Sequence, residues 1–266
     1  DSSALDLMNV NPSQAGAYFV VVSNIGGSIT SSLVNLSVLP ALPCANVFSN
    51  LVGWWRAESN TVDSAGAADT LYSGILTQSL RFASGEVGAA FRCGGRSYFY
   101  TPPQPQLDVG AGEGFTVEGW IKPDASVTSQ SLIEWNDNRK NDGVGLMIRT
   151  NALQGFLTDT NVQPVRTVVF RTSDGVLKSG EWQHVGLTYE KHSGLAKLFH
   201  NGTVVAQTNL GPIRPLTTPP LYFGGYHSTA AIRRDYYEGG LDEIAVYSRA
   251  LAASEVLSIY NAAAAG

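Results

Sequence analysis

Charge is scarce in this chain. Asp, Glu, Lys and Arg make up 15% of its 266 residues, and the formal net charge is −5. Nucleic-acid binding needs a basic patch that displaces counterions from phosphate. Here Lys and Arg are scattered, and Arg233-Arg234 is the one basic pair of note. No apolar run approaches the roughly 20 residues of a membrane-spanning helix, and no secretory leader is recognisable. The first residues read as mid-domain sequence, which predicts a piece excised from a longer protein. Cysteine is also rare, with Cys44 and Cys93 the two present.

What is abundant suits an all-β chain. Gly occurs 28 times, and Thr, Ser and Val are plentiful, the composition of β-strands joined by many turns. From Leu51 on, β-rich runs recur every ten to fifteen residues, each ended by Gly, Pro, Asn or Asp. Leu195 to Ala206 is the clearest hairpin, because Asn201-Gly202 between two strands favours a type I′ turn. Many short strands without intervening helices predict two antiparallel sheets packed face to face. A helical pattern appears at the end, from Ser254 to Tyr260. Glu255 has capping-box spacing from Ala252, a residue with no side-chain oxygen to complete the box.

Four blocks carry a family resemblance. They are Gly53-Trp54-Trp55-Arg56-Ala57-Glu58 with Asp63-Ser64-Ala65-Gly66; Phe115-Thr116-Val117-Glu118-Gly119-Trp120-Ile121-Lys122-Pro123; Gly180-Glu181-Trp182-Gln183-His184-Val185; and Tyr237 to Leu251, with Leu241-Asp242-Glu243 inside it. In this order and spacing they resemble the laminin-G-like, concanavalin-A-like jelly-roll domains of bacterial surface and secreted proteins. The resemblance spans roughly residues 50 to 261 and implies an extracellular or cell-surface jelly roll over 50–266. Trp54, Trp55, Trp120 and Trp182 fall in strand patterns and are expected in the core.

Ahead of it, residues 1–39 resemble the last third of a disulfide-free immunoglobulin-like domain. Gly16-Ala17-Tyr18 sits where that fold has its tyrosine corner, and the Ile25-Gly26-Gly27-Ser28 turn predicts a hairpin. Gln14 stands where the family has Asp, and Val20 where disulfide-bearing members have Cys. A third of a sandwich cannot bury both faces. Its edge is therefore open to pairing with another molecule. Residues 40–49, with Pro40-Ala41-Leu42-Pro43, read as a stiff linker.

In relatives, the Asp of the first loop and the Asp of the Leu-Asp-Glu step resemble a structural calcium site. The matching residues are Asp63 and Asp242, which suit a hard, oxygen-seeking cation. The competing reading has Asp63 capping its own turn and Asp242 bonding a loop. Cys44 and Cys93 are read either as a bridge, the habit of exported proteins, or as buried free thiols.

Catalysis finds no support. Retaining glycosidases need two carboxylates about 5 Å apart, and on this fold one strand commonly supplies them as Glu-x-Asp-x-x-Glu; that run is absent. Asp242 and Glu243 are adjacent and would point to opposite faces of a strand. Glu118 and Glu134 stand alone on separate strands. The four His share no metal-ligand spacing, and His184 reads as structural. No Gly-x-Ser-x-Gly elbow occurs. Sugar binding would combine aromatic rings with Asn, Asp and Arg that fix hydroxyls. Three places offer this: Trp135, Asn136, Asp137, Asn138 and Arg139; the segment with Tyr226 and Tyr236; and Tyr98 with Tyr100. The expected function is a non-catalytic carbohydrate-binding or adhesion module of an exported multidomain protein. A spacer or protein–protein adhesion domain, and a glycoside-active enzyme, are the alternatives.

Overall fold

The structure, a computed structural model, describes residues 14–37, 49–66, 72–75, 81–94, 97–125, 129–137, 142–225 and 235–263. The chain divides between Cys44 and Ala45 into two compact units.

In the first unit β1 (Gly16–Tyr18) pairs with β4 (Val34–Leu36), and β2 (Val21–Asn24) pairs with β3 (Gly27–Thr30). The predicted single hairpin is thus two small ladders. Gly27 joins the ladder opposite Asn24, leaving Ile25-Gly26 as the turn, and the Asn24 side chain accepts from the Gly26 N–H at 2.8 Å. Tyr18 donates its hydroxyl to the Gln14 carbonyl at 2.7 Å. Phe19, Val22, Ile25 and Ile29 are exposed, because two ladders of this size enclose no core. The expected edge pairing with another molecule gains no support, since each of these strands takes its partner from within the unit.

The second unit is a sandwich. Its strands are β5 (Leu51–Trp55), β6 (Tyr72–Ile75), β7 (Phe82–Ser84), β8 (Ala89–Cys93), β9 (Ser97–Thr101), β10 (Gly114–Pro123), β11 (Ser129–Asn136) and β12 (Asp142–Arg149). They continue with β13 (Ala152–Asp159), β14 (Arg166–Arg171), β15 (Gln183–Glu190), β16 (Leu195–His200), β17 (Thr203–Asn209), β18 (Leu221–Phe223) and β19 (Gly239–Tyr247). One sheet is eight-stranded, in the order β17-β16-β15-β10-β19-β8-β7 with β5 on β19; the other is seven-stranded, β14-β13-β12-β11-β18-β9-β6. Every pairing is antiparallel. Asn201 and Gly202 both take positive φ, 48° and 73°, as a type I′ turn requires.

Alternation sends one face of each sheet inward. Phe91, Val117, Leu187 and Ile244 of the eight-stranded sheet meet Phe99, Leu132, Trp135, Leu146 and Phe223 of the other in one core. On the outer face of the eight-stranded sheet lies a second, smaller core. There α1 (Ala253–Ala263) packs Val256 with Phe199, Ala245, Tyr247 and Leu251. The helix starts without a side-chain oxygen at Ala252, yet Glu255 still reaches back to the Ala252 N–H at 2.8 Å and also grips Arg249. His184 is structural, as expected. It is fully buried, with Nε2 2.7 Å from Glu118 Oε2 and its ring against Trp120 and Tyr260.

Candidate functional site

The outer face of the seven-stranded sheet collects the aromatic and polar side chains that the core does not use. On β9, Phe99 points inward, so Tyr98 and Tyr100 point out; on β18, Leu221 and Phe223 are inward and Tyr222 is outward. Tyr236, from the segment entering β19, completes a patch of four tyrosines. Tyr98 and Tyr236 stack at 6.4 Å, and Tyr100 and Tyr222 at 5.6 Å. Tyr98 and Tyr222 are buried, while Tyr100 and Tyr236 stay half-buried and present ring surface. Burial and the neighbouring hydroxyls push the Tyr98 phenol up to about 12, so this ring is a neutral hydrogen-bonding group at ordinary pH.

The patch continues in register. Tyr100, Tyr222, Glu134, Gly145, Phe156 and Val169 pair in turn across β9, β18, β11, β12, β13 and β14. Phe156 folds over Gly145, where an added Cβ would come 2.2 Å from the ring. In the middle of the row, Glu134 is 5% exposed. Asn136 donates to Glu134 Oε1 at 2.6 Å and to Asp142 Oδ1 at 3.0 Å, and Ser131 donates to Glu134 Oε2 at 3.0 Å. Burial pushes the Glu134 carboxyl up to about 7; the Asn136 and Ser131 hydrogen bonds pull it down, and Asp142 and Asp235 add to the rise. A carboxyl so placed can be a donor below neutrality and an acceptor above it.

The structure revises the residues expected from the sequence. Trp135 is not a loop platform. It lies in β11, fully buried and edge-on to Phe115, because the bulge at Leu132 resets the alternation and Trp135 then follows Ile133 on the inward face. Asn136 is also buried, bound into the Glu134 cluster. Asp137 follows β11 and is half-buried. Arg139, with Asn138, and Tyr226 lie outside the described residues. Of the expected set, Asn136, Tyr98, Tyr100 and Tyr236 come together on this face. Asp142 ends the polar stretch that starts at Trp135 and joins them as well, while Glu134, Ser131 and Tyr222 join them unforeseen. Glu134 and Asn136, alternating with inward Ile133 and Trp135, were the one local signal. Trp182 also departs from expectation: it precedes β15 and is half-buried rather than in the core.

Asp63 and Asp242 each fasten a turn. Asp63 Oδ1 accepts from the Trp54 and Ala65 N–H groups at 2.7 and 2.9 Å. Asp242 Oδ2 accepts from Glu86 and Val87 N–H at 2.9 and 3.0 Å. Asp242 Oδ1 is buried without a partner, and burial pushes this carboxyl up to about 7. Glu243 takes positive φ, 50°, which breaks the strand alternation expected of the acidic pair; it accepts from Trp54 Nε1 at 2.6 Å. Among the described residues no three His, Cys, Asp or Glu gather as a metal site. Of the two readings of the cysteines, Cys93 takes that of a free thiol, buried against Gly224; Cys44 lies outside the described residues.

A family model described as the Concanavalin A-like lectin/glucanases superfamily matches residues 94–257. Among curated proteins none matches. Solved structures do. The binding domain of Paraclostridial Mosquitocidal Protein 1 aligns with a TM-score of 0.63 at 19% identity, covering 80% of this chain and 52% of that one. Domain 4 of AbnA, an extracellular arabinanase of Geobacillus stearothermophilus solved with arabinotriose, gives 0.59 at 16%, covering 79% of this chain and 98% of that domain. A botulinum neurotoxin type C structure, whose cell entry depends on two ganglioside molecules, gives 0.60 at 16%, covering 82% and 52%. This chain spans about half the length of the toxin chains. At such identities the shared property is the fold.

Proposed function

The chain belongs to the Concanavalin A-like lectin/glucanases superfamily, and from that premise we propose that its second unit is a non-catalytic carbohydrate-binding module working outside the cell. The observation that carries this reading is the tyrosine patch bordered by the Glu134, Asn136, Ser131 and Asp142 cluster. Tyrosine rings offer flat apolar surface to pyranose or furanose C–H groups, and the flanking acid and amide can read hydroxyls. The arabinotriose and ganglioside descriptions of its structural neighbours favour the same ligand class.

The test is retention of the protein in gels loaded with arabinan or other plant and bacterial polysaccharides. Tyr100→Ala with Tyr236→Ala should abolish retention while leaving the melting temperature within a few degrees, since both rings are half-exposed. A stable double variant that is still retained would move binding off this face. If the unaltered protein is retained by no polysaccharide, the spacer reading replaces the module.

Two further parts belong to this reading. Calcium would use Asp242 Oδ1, the buried oxygen without a partner, together with Asp63. An ion there would offset the cost of the buried carboxylate, so a chelator should lower the melting temperature and added calcium restore it. A melting curve indifferent to both removes the site. The first unit is read as immunoglobulin-like, supported by the Tyr18–Gln14 bond, which has the form of a tyrosine corner.

A further inference from the structure

Trp182 stands on the opposite side of the sandwich from the tyrosine face. Gln183 pairs with Ile121, so Trp182, one residue earlier, starts a row that continues through Lys122, Gly240 and Arg92 on β10, β19 and β8. Lys122 shares the face of Trp120 and Glu118, which is the outer one. The indole crosses β10 to reach β19, where a Cβ on Gly240 would come 2.5 Å from its Cη2. Two strand spacings are about 10 Å, so the ring lies along the sheet rather than standing off it. Only a glycine at 240 leaves room for it.

The side chains around the ring are polar. The Lys122 ammonium sits 6.0 Å from the ring centroid. Arg92 is paired with Asp124, and both are partly exposed. Among the described residues no carboxylate comes within ion-pair distance of Lys122; Glu86 acts on it from further away. Trp182 is half-buried, next to the ground covered by Tyr260 of α1 against Trp120. A core tryptophan would be covered on both faces, whereas Trp182 keeps part of its surface open.

We propose that this row is a second saccharide subsite and that it takes an acidic pyranose, the sugar ring against Trp182 and its carboxylate on Lys122. Aromatic stacking supplies contact with the apolar face of the sugar, and the ammonium selects the charged ring over its neutral counterpart. The inference rests on the carbohydrate-binding reading for its ligand class, but not on the tyrosine face.

The experiment titrates the full chain with methyl glucuronide and with methyl glucoside, following the Trp182 indole N–H by NMR, assigned through Trp182→Phe. The glucuronide should shift that signal and bind about fivefold more tightly than the glucoside, the scale of one partly exposed ion pair. Lys122→Gln should make the two probes equal, and Trp182→Ala should lose both. An indole signal that does not move, or a glucuronide preference that survives Lys122→Gln, overturns the subsite. Lys122→Gln touches a solvent-facing group, so it stays informative if Trp182→Ala folds poorly. The Tyr100→Ala, Tyr236→Ala variant separates the two faces. It should bind glucuronide unchanged here even if polysaccharide retention is lost, and glucuronide binding lost in it with a silent indole would sink this subsite alone.

Discussion

Replacing Glu134 by Gln should make the protein more stable at pH 8 than the unaltered chain, and the gain should vanish in acid. The reason is the position of the carboxyl. Burial pushes it up to about 7 from an ordinary 4.5. An unfolded chain releases this proton near the ordinary value while the folded one keeps it, so raising the pH between these limits favours unfolding. The stability tied to the protonated group is complete below about 4.5 and is lost as the pH climbs through about 7. At about 1.4 kcal/mol per pH unit, the interval amounts to roughly 3 kcal/mol. Gln imitates the protonated acid: its oxygen can accept from Asn136 while its amide donates to Ser131 Oγ. Urea unfolding at intervals from pH 4 to pH 8 is the assay, read as the difference between variant and unaltered chain. That difference cancels Asp242, whose raised carboxyl bends both curves alike. It should be near zero at pH 4 and reach about 3 kcal/mol by pH 8, or roughly 6–10 °C in melting temperature. Parallel profiles would refute the reasoning, because they would mean that Glu134 titrates like an exposed acid.

The remaining predictions are short. Cys93 is buried and its thiol is pushed up to about 12, so a maleimide should miss it in the native protein; in denaturant without reductant both Cys44 and Cys93 should label, and a mass lacking two adducts would reveal a bridge. Gly145→Ala puts a Cβ into the Phe156 ring and should cost about 1–3 kcal/mol in urea unfolding; a neutral result would mean that the ring swings aside freely.

Much of the fold is legible locally. Asn201-Gly202 names its own turn, since few other pairs accept two positive φ values. That Phe99 faces away from Tyr98 and Tyr100 follows from period two alone. The helix end is readable at Glu255, which seeks the Ala252 N–H whether or not Ala252 can reciprocate. The candidate site is less legible. Glu134 looks isolated in the sequence, yet Tyr222 stands beside it and Asp235 adds to the rise of its carboxyl, from segments about 90 and 100 residues further on.

The two tryptophans show where the division falls. The sequence pattern puts Trp182 in the core and Trp135 at a ligand, and the structure has the reverse, with Trp135 buried and Trp182 half-buried. The sequence by itself determined that the chain is a two-sheet β-sandwich with a C-terminal helix, because strand periodicity and turn chemistry act within a few residues. Which side of each strand faces the core was decided by tertiary structure. The bulge at Leu132 in β11 turns Trp135 inward, and the glycine opposite Lys122 lets Trp182 lie along the outer sheet. Alternation sets the relation between neighbours on one strand, but its absolute sense comes from the strands and residues that pack against it.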